Sequence, residues 1–212
     1  MERVGETRVE SHFATPVLAA PWPDAPAWNA GLRSAILARH QADRGVSKSN
    51  LMGWQSDLDL HRWGGEAALR LREHVIDRCA SITIGQGDRP WIAEMWANAS
   101  PAGASNQTHA HPGSLWSVVY YVDDGYAGSQ DRALGGELTF LDPRFPMVRM
   151  SMPDLRYRRP DDTLDNHEVW MRPRSGLVVI FPSWLQHAVR PYRGGGVRLS
   201  IAINLYLGGD HG

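Results

Sequence analysis

A chain of 212 residues with 42% hydrophobic content can enclose one full core, and its net charge of -1 comes with no basic block suited to nucleic acid or an anionic membrane. Its longest apolar runs fall far short of the ~20 residues a membrane span needs, and the charged start carries no secretory signal. A single cysteine, Cys79, excludes an internal disulfide and a CxxC zinc site, so a cytoplasmic protein is expected, and any metal must be held by His, Asp or Glu.

Residues 1–26, with prolines at 16, 21, 23 and 26, read as an irregular arm. Residues 27–40 set Trp28, Leu32, Ala35 and Ile36 on one face, which predicts a helix. Residues 45–62 are loop-like. Residues 65–80 repeat the helical pattern with Ala68, Leu71, Val75 and Cys79. After residue 80 short apolar or alternating runs are divided by turn residues, which predicts strands at 81–84, 90–98, 107–111, 116–122, 136–141, 167–171, 176–181 and 197–206. Strands of this length and number fit a mainly β jelly roll, a double-stranded β-helix, with the N-terminal helices on one face. The expected organisation is one structural domain, with an arm and supporting helices over 1–80 and the β core over 81–212. Residues 142–166, rich in proline and arginine, are expected to form a long excursion between strands. Most of the nine tryptophans are expected in the core.

The stretch "SNQTHAHPGSLWSVVYYV" (105–122) holds two histidines one residue apart. On a strand His109 and His111 point the same way, ~7 Å apart, close enough to converge on one ion. A third ligand, His187, follows the apolar run "GLVVIFPSWLQ". Five residues separate Gly103 from His109 and Gly176 from Pro182, and four separate Pro182 from His187. This framing resembles both halves of the cupin signature, although the glutamate expected after HxH is missing and Pro191 stands where asparagine is expected. The remaining six histidines lack such framing.

The last run, "VRLSIAINLY", alternates. Leu199, Ile201, Ile203 and Leu205 make an apolar face; Arg198, Ser200, Ala202 and Asn204 make the other. Inside a barrel, Arg198 and Ser200 would face the cavity. A buried guanidinium without an anion is costly, and its natural partner is a carboxylate held bidentately. A metal with open positions beside an Arg/Ser clamp describes a site for a keto-acid cosubstrate.

At these residues the chain resembles the Fe(II)/2-oxoglutarate-dependent oxygenases, in their prolyl-hydroxylase-like branch. The resemblance rests on "GWQS" (53–56), W-x-N (96–98), H-x-HPGS (109–114) followed by "SVVYYV", "GGELTF" (135–140), "GLVVIFPSWL-x-H" (176–187) and R-x-S-I-A-x-N (198–204). It implies Fe(II) held by His109, His111 and His187, with 2-oxoglutarate and O2 at the open positions. It also implies a far carboxylate bound by Arg198, Ser200 and Tyr121, the last standing four residues after Ser117. Asn98, which shares a face with Trp96 and Glu94, is expected to edge the site, with Asn204 on the face of Arg198, while Trp116 and Trp184 flank the ligands and are expected to shape the substrate pocket. The chain departs from the superfamily at His111, where a carboxylate is usual. Asp123, Asp124 and Glu137 therefore stay open as the third ligand. The implied activity is a hydroxylase that converts 2-oxoglutarate to succinate and acts on a small molecule or peptide. Two other readings stand beside it: a three-His cupin enzyme without 2-oxoglutarate, such as a thiol dioxygenase or isomerase, and a non-enzymatic metal-binding jelly roll.

Overall fold

The computed structural model describes residues 10, 12–145, 152, 154, 156–164 and 166–209. Two antiparallel sheets face each other. The larger runs, in spatial order, β1 (Leu18–Pro21), β9 (Leu177–Pro182), β6 (Trp116–Asp123), β11 (Arg198–Leu207), β4 (Trp91–Ser100) and β3 (Trp54–Gln55). The smaller runs β2 (Asn50–Leu51), β5 (Ser105–His109), β10 (His187–Val189), β7 (Leu138–Leu141) and β8 (Glu168–Met171). Helices α1 (Ala25–Ala42), α2 (Leu60–Trp63) and α3 (Gly65–Ser81) lie on the outer face of the larger sheet. The architecture is the double-stranded β-helix with helices on one face.

Alternation sorts the two faces. On β11, Leu199, Ile201, Ile203 and Leu205 are fully buried in a cluster with Leu32 and Ile36 of α1 and Leu71, Val75 and Cys79 of α3. Each such side chain stabilises the fold by roughly 1.5–3 kcal/mol. On β6, Val118, Tyr120 and Val122 join the same layer, and the Tyr120 hydroxyl bonds the Asn29 side chain of α1. The opposite face of the sheet meets the smaller sheet through Tyr121, Leu138, Phe140, Val179, Phe181 and Leu185. Residues from both the helical and the β halves thus share the outer core.

The helices stand where periodicity puts them, and most strands differ from expectation by one to three residues. Residues 81–84 form no strand: Ser81 ends α3, and Ile84 is fully exposed with no neighbouring strand to pair with. The arm contains β1, which pairs with β9, and the stretch read as loop contains β2, β3 and α2. The excursion at 142–166 joins the adjacent strands β7 and β8; residues 146–151, 153, 155 and 165 of it lie outside the described residues. The paired glycines of "GGELTF" have a steric reason. Gly135 sits at φ 63° and Gly136 at φ 80°, and a Cβ at Gly135 would collide with the Pro191 carbonyl.

Candidate metal centre and carboxylate pocket

His109 ends β5 and His187 begins β10, and the two are paired across the strands. Their ring centroids lie 4.3 Å apart. His111 does not continue β5 as expected; it lies two residues past the strand end. Its amide donates to the Ser183 carbonyl at 2.9 Å, and its ring leans on Trp96 with centroids 5.7 Å apart. The His111 ring stands 4.9 Å from His109 and 5.2 Å from His187. One nitrogen from each ring falls within 4.8 Å of the others, a spacing that suits one shared ion.

The tautomers are fixed by neighbouring carbonyls. His109 Nδ1 lies 2.7 Å from the Gln107 oxygen and His187 Nδ1 lies 2.9 Å from the Leu185 oxygen. A carbonyl only accepts, so each Nδ1 carries the proton and each Nε2 keeps its lone pair for a metal. Burial, and then the neighbouring His109, hold His187 down at about 3 and His111 at about 4. Both rings are therefore neutral at pH 7, the form that ligates metal.

The three carboxylates left open as ligands are engaged elsewhere. Asp123 accepts from the Gly125 amide at 2.9 Å and from Arg33 at 3.3 Å. Asp124 accepts from the Tyr126 and Ser175 amides at 2.9 and 3.1 Å. Glu137 accepts from Arg190 at 3.3 Å. Among the described residues, the group close enough to share an ion is His109, His111 and His187.

These histidines line a cavity of about 650 Å³ between the sheets, together with Trp96, Asn98, Arg198, Ser200 and Asn204. Arg198 is 2% exposed. Its Nη2 donates to Ser100 Oγ over a long 3.4 Å, and its Nε has no partner among the described residues. The Tyr121 ring lies 6.0 Å from the guanidinium carbon, and its buried hydroxyl also lacks a partner among the described residues. Burial pushes the Tyr121 phenol up to about 12, so it remains a donor. Ser200 is register partner to both Tyr121 and Asn98. A buried cation and a buried hydroxyl without acceptors are expensive, and a carboxylate reaching into this end of the cavity satisfies both. The residues fit a keto dicarboxylate that chelates a metal at its other end.

Other expected residues divide. Ser117 and Asn204 face inward, but Ser117 Oγ donates to Asn204 Oδ1 at 3.0 Å, so the two satisfy each other. Trp116 and Trp184 do not shape the cavity. The alternation of β6 turns Trp116 to the helix side, where its indole donates to Thr83 at 2.9 Å, and Trp184 is 54% exposed. Trp96 takes the role expected of them. Sequence reasoning missed Gln55, Ser56 and Asp57, which line the cavity from the stretch read as loop; it put Glu94 on the face of Asn98 and Trp96 but missed its bond from Tyr206. The "GWQS" motif was the available signal for the first group.

Three imidazoles thus converge inside a double-stranded β-helix, beside a buried arginine. The chain belongs to the family described as "Putative 2OG-Fe(II) oxygenase", whose model matches residues 94–204. No curated protein matches the sequence. Among solved structures, a prolyl-4-hydroxylase from Pseudomonas putida is 18% identical, with a TM-score of 0.64, over 92% of this chain and 94% of that one. A prolyl hydroxylase from Trichoplax adhaerens, in complex with a hypoxia inducible factor oxygen degradation domain peptide fragment, is 15% identical (TM-score 0.64; 90% and 83% covered). HygX from Streptomyces hygroscopicus, with nickel and 2-oxoglutarate bound, is 14% identical (TM-score 0.62; 91% and 83% covered). At these identities the structures show the shared fold; the family match supplies Fe(II), 2-oxoglutarate and O2 as the cofactor and cosubstrates. No described helix is long and apolar enough to cross a membrane.

Proposed function

We propose that this 2-oxoglutarate oxygenase is a dioxygenase that hydroxylates its substrate, with Fe(II) on His109, His111 and His187. When bound, iron and 2-oxoglutarate supply the oxidising chemistry, with succinate as coproduct; the chain supplies position and a dry pocket. His109 and His187 are oriented by their Nδ1 bonds, and His111 by its backbone bond and Trp96. Arg198, Ser200 and Tyr121 take the far carboxylate of 2-oxoglutarate. Asn98 edges the same end, and the Ser117–Asn204 pair fixes the cavity wall. The observation that carries this reading is the pair of unpartnered buried groups, Arg198 Nε and Tyr121 hydroxyl, in the barrel that holds the three histidines.

That clamp and the family match favour this reading over a three-His enzyme without 2-oxoglutarate and over a structural metal site, which would want a fourth protein ligand. The whole described chain acts as one catalytic unit, its helices bracing the sheet that carries Arg198. The substrate is a small molecule or peptide, and the buried, unpaired Cys79 suits the cytoplasm. The test is anaerobic Fe(II) titration with and without 2-oxoglutarate. A weak visible charge-transfer band that needs both components is expected. Iron binding without any 2-oxoglutarate-dependent band would overturn the proposal.

A further inference from the structure

Glu94 places a half-buried carboxylate inside the barrel. It shares the inward face of β4 with Trp96 and Asn98 and lines the same cavity as the histidines. The Tyr206 hydroxyl donates to Glu94 Oε2 at 2.6 Å, which fixes the carboxylate and leaves Oε1 without a hydrogen bond among the described residues. Burial, then the Glu94 bond, pushes Tyr206 up to about 12, so it stays a donor at working pH. Among the described residues Glu94 forms no ion pair. Lys48 and Asp57 line the same cavity from exposed positions, and neither is in an ion pair among the described residues. A half-buried carboxylate held in one orientation is costly unless a donor, best a charged one, completes it.

Position along β4 says which molecule that donor belongs to. The inward row reads Ser100, Asn98, Trp96, Glu94. Ser100 touches Arg198, Trp96 leans on His111, and Glu94 lies one pleat beyond, ~7 Å past Trp96 at the rise of a strand. The row therefore passes from cosubstrate anchor to metal to free carboxylate. Glu94 lies on the far side of the three histidines from Arg198, the side that the proposed function leaves for the substrate.

Resting on the function proposed above, we infer that Glu94, oriented by Tyr206, binds a protonated amine of the substrate. The substrate class is then an aliphatic amine whose reacting carbon lies several bonds from the nitrogen, with the intervening chain along Trp96. Asp57 and Lys48, both exposed on the cavity lining, offset one another, so the charge that selects the amine is Glu94's own. Glu94 and Tyr206 are specificity residues in this assignment and take no part in holding metal or cosubstrate.

The test uses the full chain loaded with Mn(II) and 2-oxoglutarate under nitrogen, with pentylamine, pentan-1-ol and pentanoate as probes of one length. Paramagnetic relaxation of the probe protons reports both binding and distance from the metal. Pentylamine should be relaxed at concentrations where the alcohol and the acid are not, and its methyl end more strongly than the methylene beside nitrogen. Glu94→Gln should weaken pentylamine at least tenfold and leave Mn(II) and 2-oxoglutarate affinities unchanged. Tyr206→Phe should give a smaller loss, because the charge remains and only its orientation is freed. Equal relaxation of the three probes, or a Glu94→Gln protein that binds pentylamine like the parent, overturns the amine assignment while the oxygenase reading stands. A parent protein that fails to load 2-oxoglutarate overturns that reading instead, and this assignment with it.

Discussion

Arg198 is expensive in the free protein, and the proposed function makes that cost productive in the complex with 2-oxoglutarate. Its guanidinium is buried with one long hydrogen bond, so the free protein carries an incompletely paired cation. Arg198→Ala should keep metal affinity and lose 2-oxoglutarate affinity on the order of 100-fold or more, because a desolvated bidentate pair is lost. Tyr121→Phe is the contrasting change. Its hydroxyl is buried without a partner, so removing it should leave the melting temperature of the free protein unchanged or higher, while 2-oxoglutarate binds several-fold more weakly. Isothermal titration of the Mn(II) protein under nitrogen reads both. An Arg198→Ala protein that binds 2-oxoglutarate as the parent does would remove the clamp from the site. Arg198 was legible beforehand because β11 alternates cleanly and puts it on the polar face, whereas Tyr121 was picked out by the family resemblance, four residues after Ser117. Glu94 was legible only as sharing a face with Asn98 and Trp96; that Tyr206 holds its carboxylate depends on how β4 and β11 pair.

At the scale of elements, the turn after β5 decides how the third imidazole is held. His109 and His187 are pinned on paired strands, each with a ring hydrogen bond to a carbonyl. His111 has no ring hydrogen bond among the described residues. Its turn is laced to the β9–β10 connection by His111 N to Ser183 O at 2.9 Å and Ser183 N to Leu115 O at 3.1 Å, and its ring rests on Trp96. Trp96→Leu should therefore loosen this one ligand and spare the other two. Electron paramagnetic resonance of the Cu(II) protein should show three imidazole nitrogens in the parent and two in Trp96→Leu, with Trp96→Phe restoring the third. Three nitrogens in the Leu variant would remove Trp96 from this positioning role. The motif spacing made the three histidines readable, yet not this turn, because HxH looks the same on a strand and just past its end. Likewise β2 and β3 have two residues each, too few to display a period of two. β1 hid among prolines because an edge strand tolerates Pro21, whose missing donor costs no ladder bond. The run at 81–84 had strand composition but no partner, and composition alone does not supply one.

At the scale of the whole molecule, burying imidazoles links the fold to pH. His187 and His111 are held at about 3 and about 4, and His74 is lowered as well, by burial first and then by Arg78. In the unfolded chain each would titrate near 6.5. As pH falls through 6.5 the unfolded state takes up protons that the folded metal-free state refuses, so stability drops between about 6.5 and about 4. Above 6.5 both states are neutral and this contribution is flat. The Asp142 carboxyl, lowered chiefly by its bonds to Arg144, adds a loss of the same sign only at lower pH. With EDTA present, the melting temperature of the metal-free protein should be level from pH 8 to 7 and fall steadily from pH 6.5 to 5. His111→Leu with His187→Leu should flatten that fall, since leucine has no proton to refuse. Mn(II) at pH 7.5 should raise the parent's melting temperature, by about 2.7 kcal/mol of added stability at one hundred times its dissociation constant, and leave the double variant unmoved. A melting temperature that does not change between pH 7.5 and 5 would mean these rings accept protons in the fold, which the burial of His187 against Phe181 and beside His109 opposes.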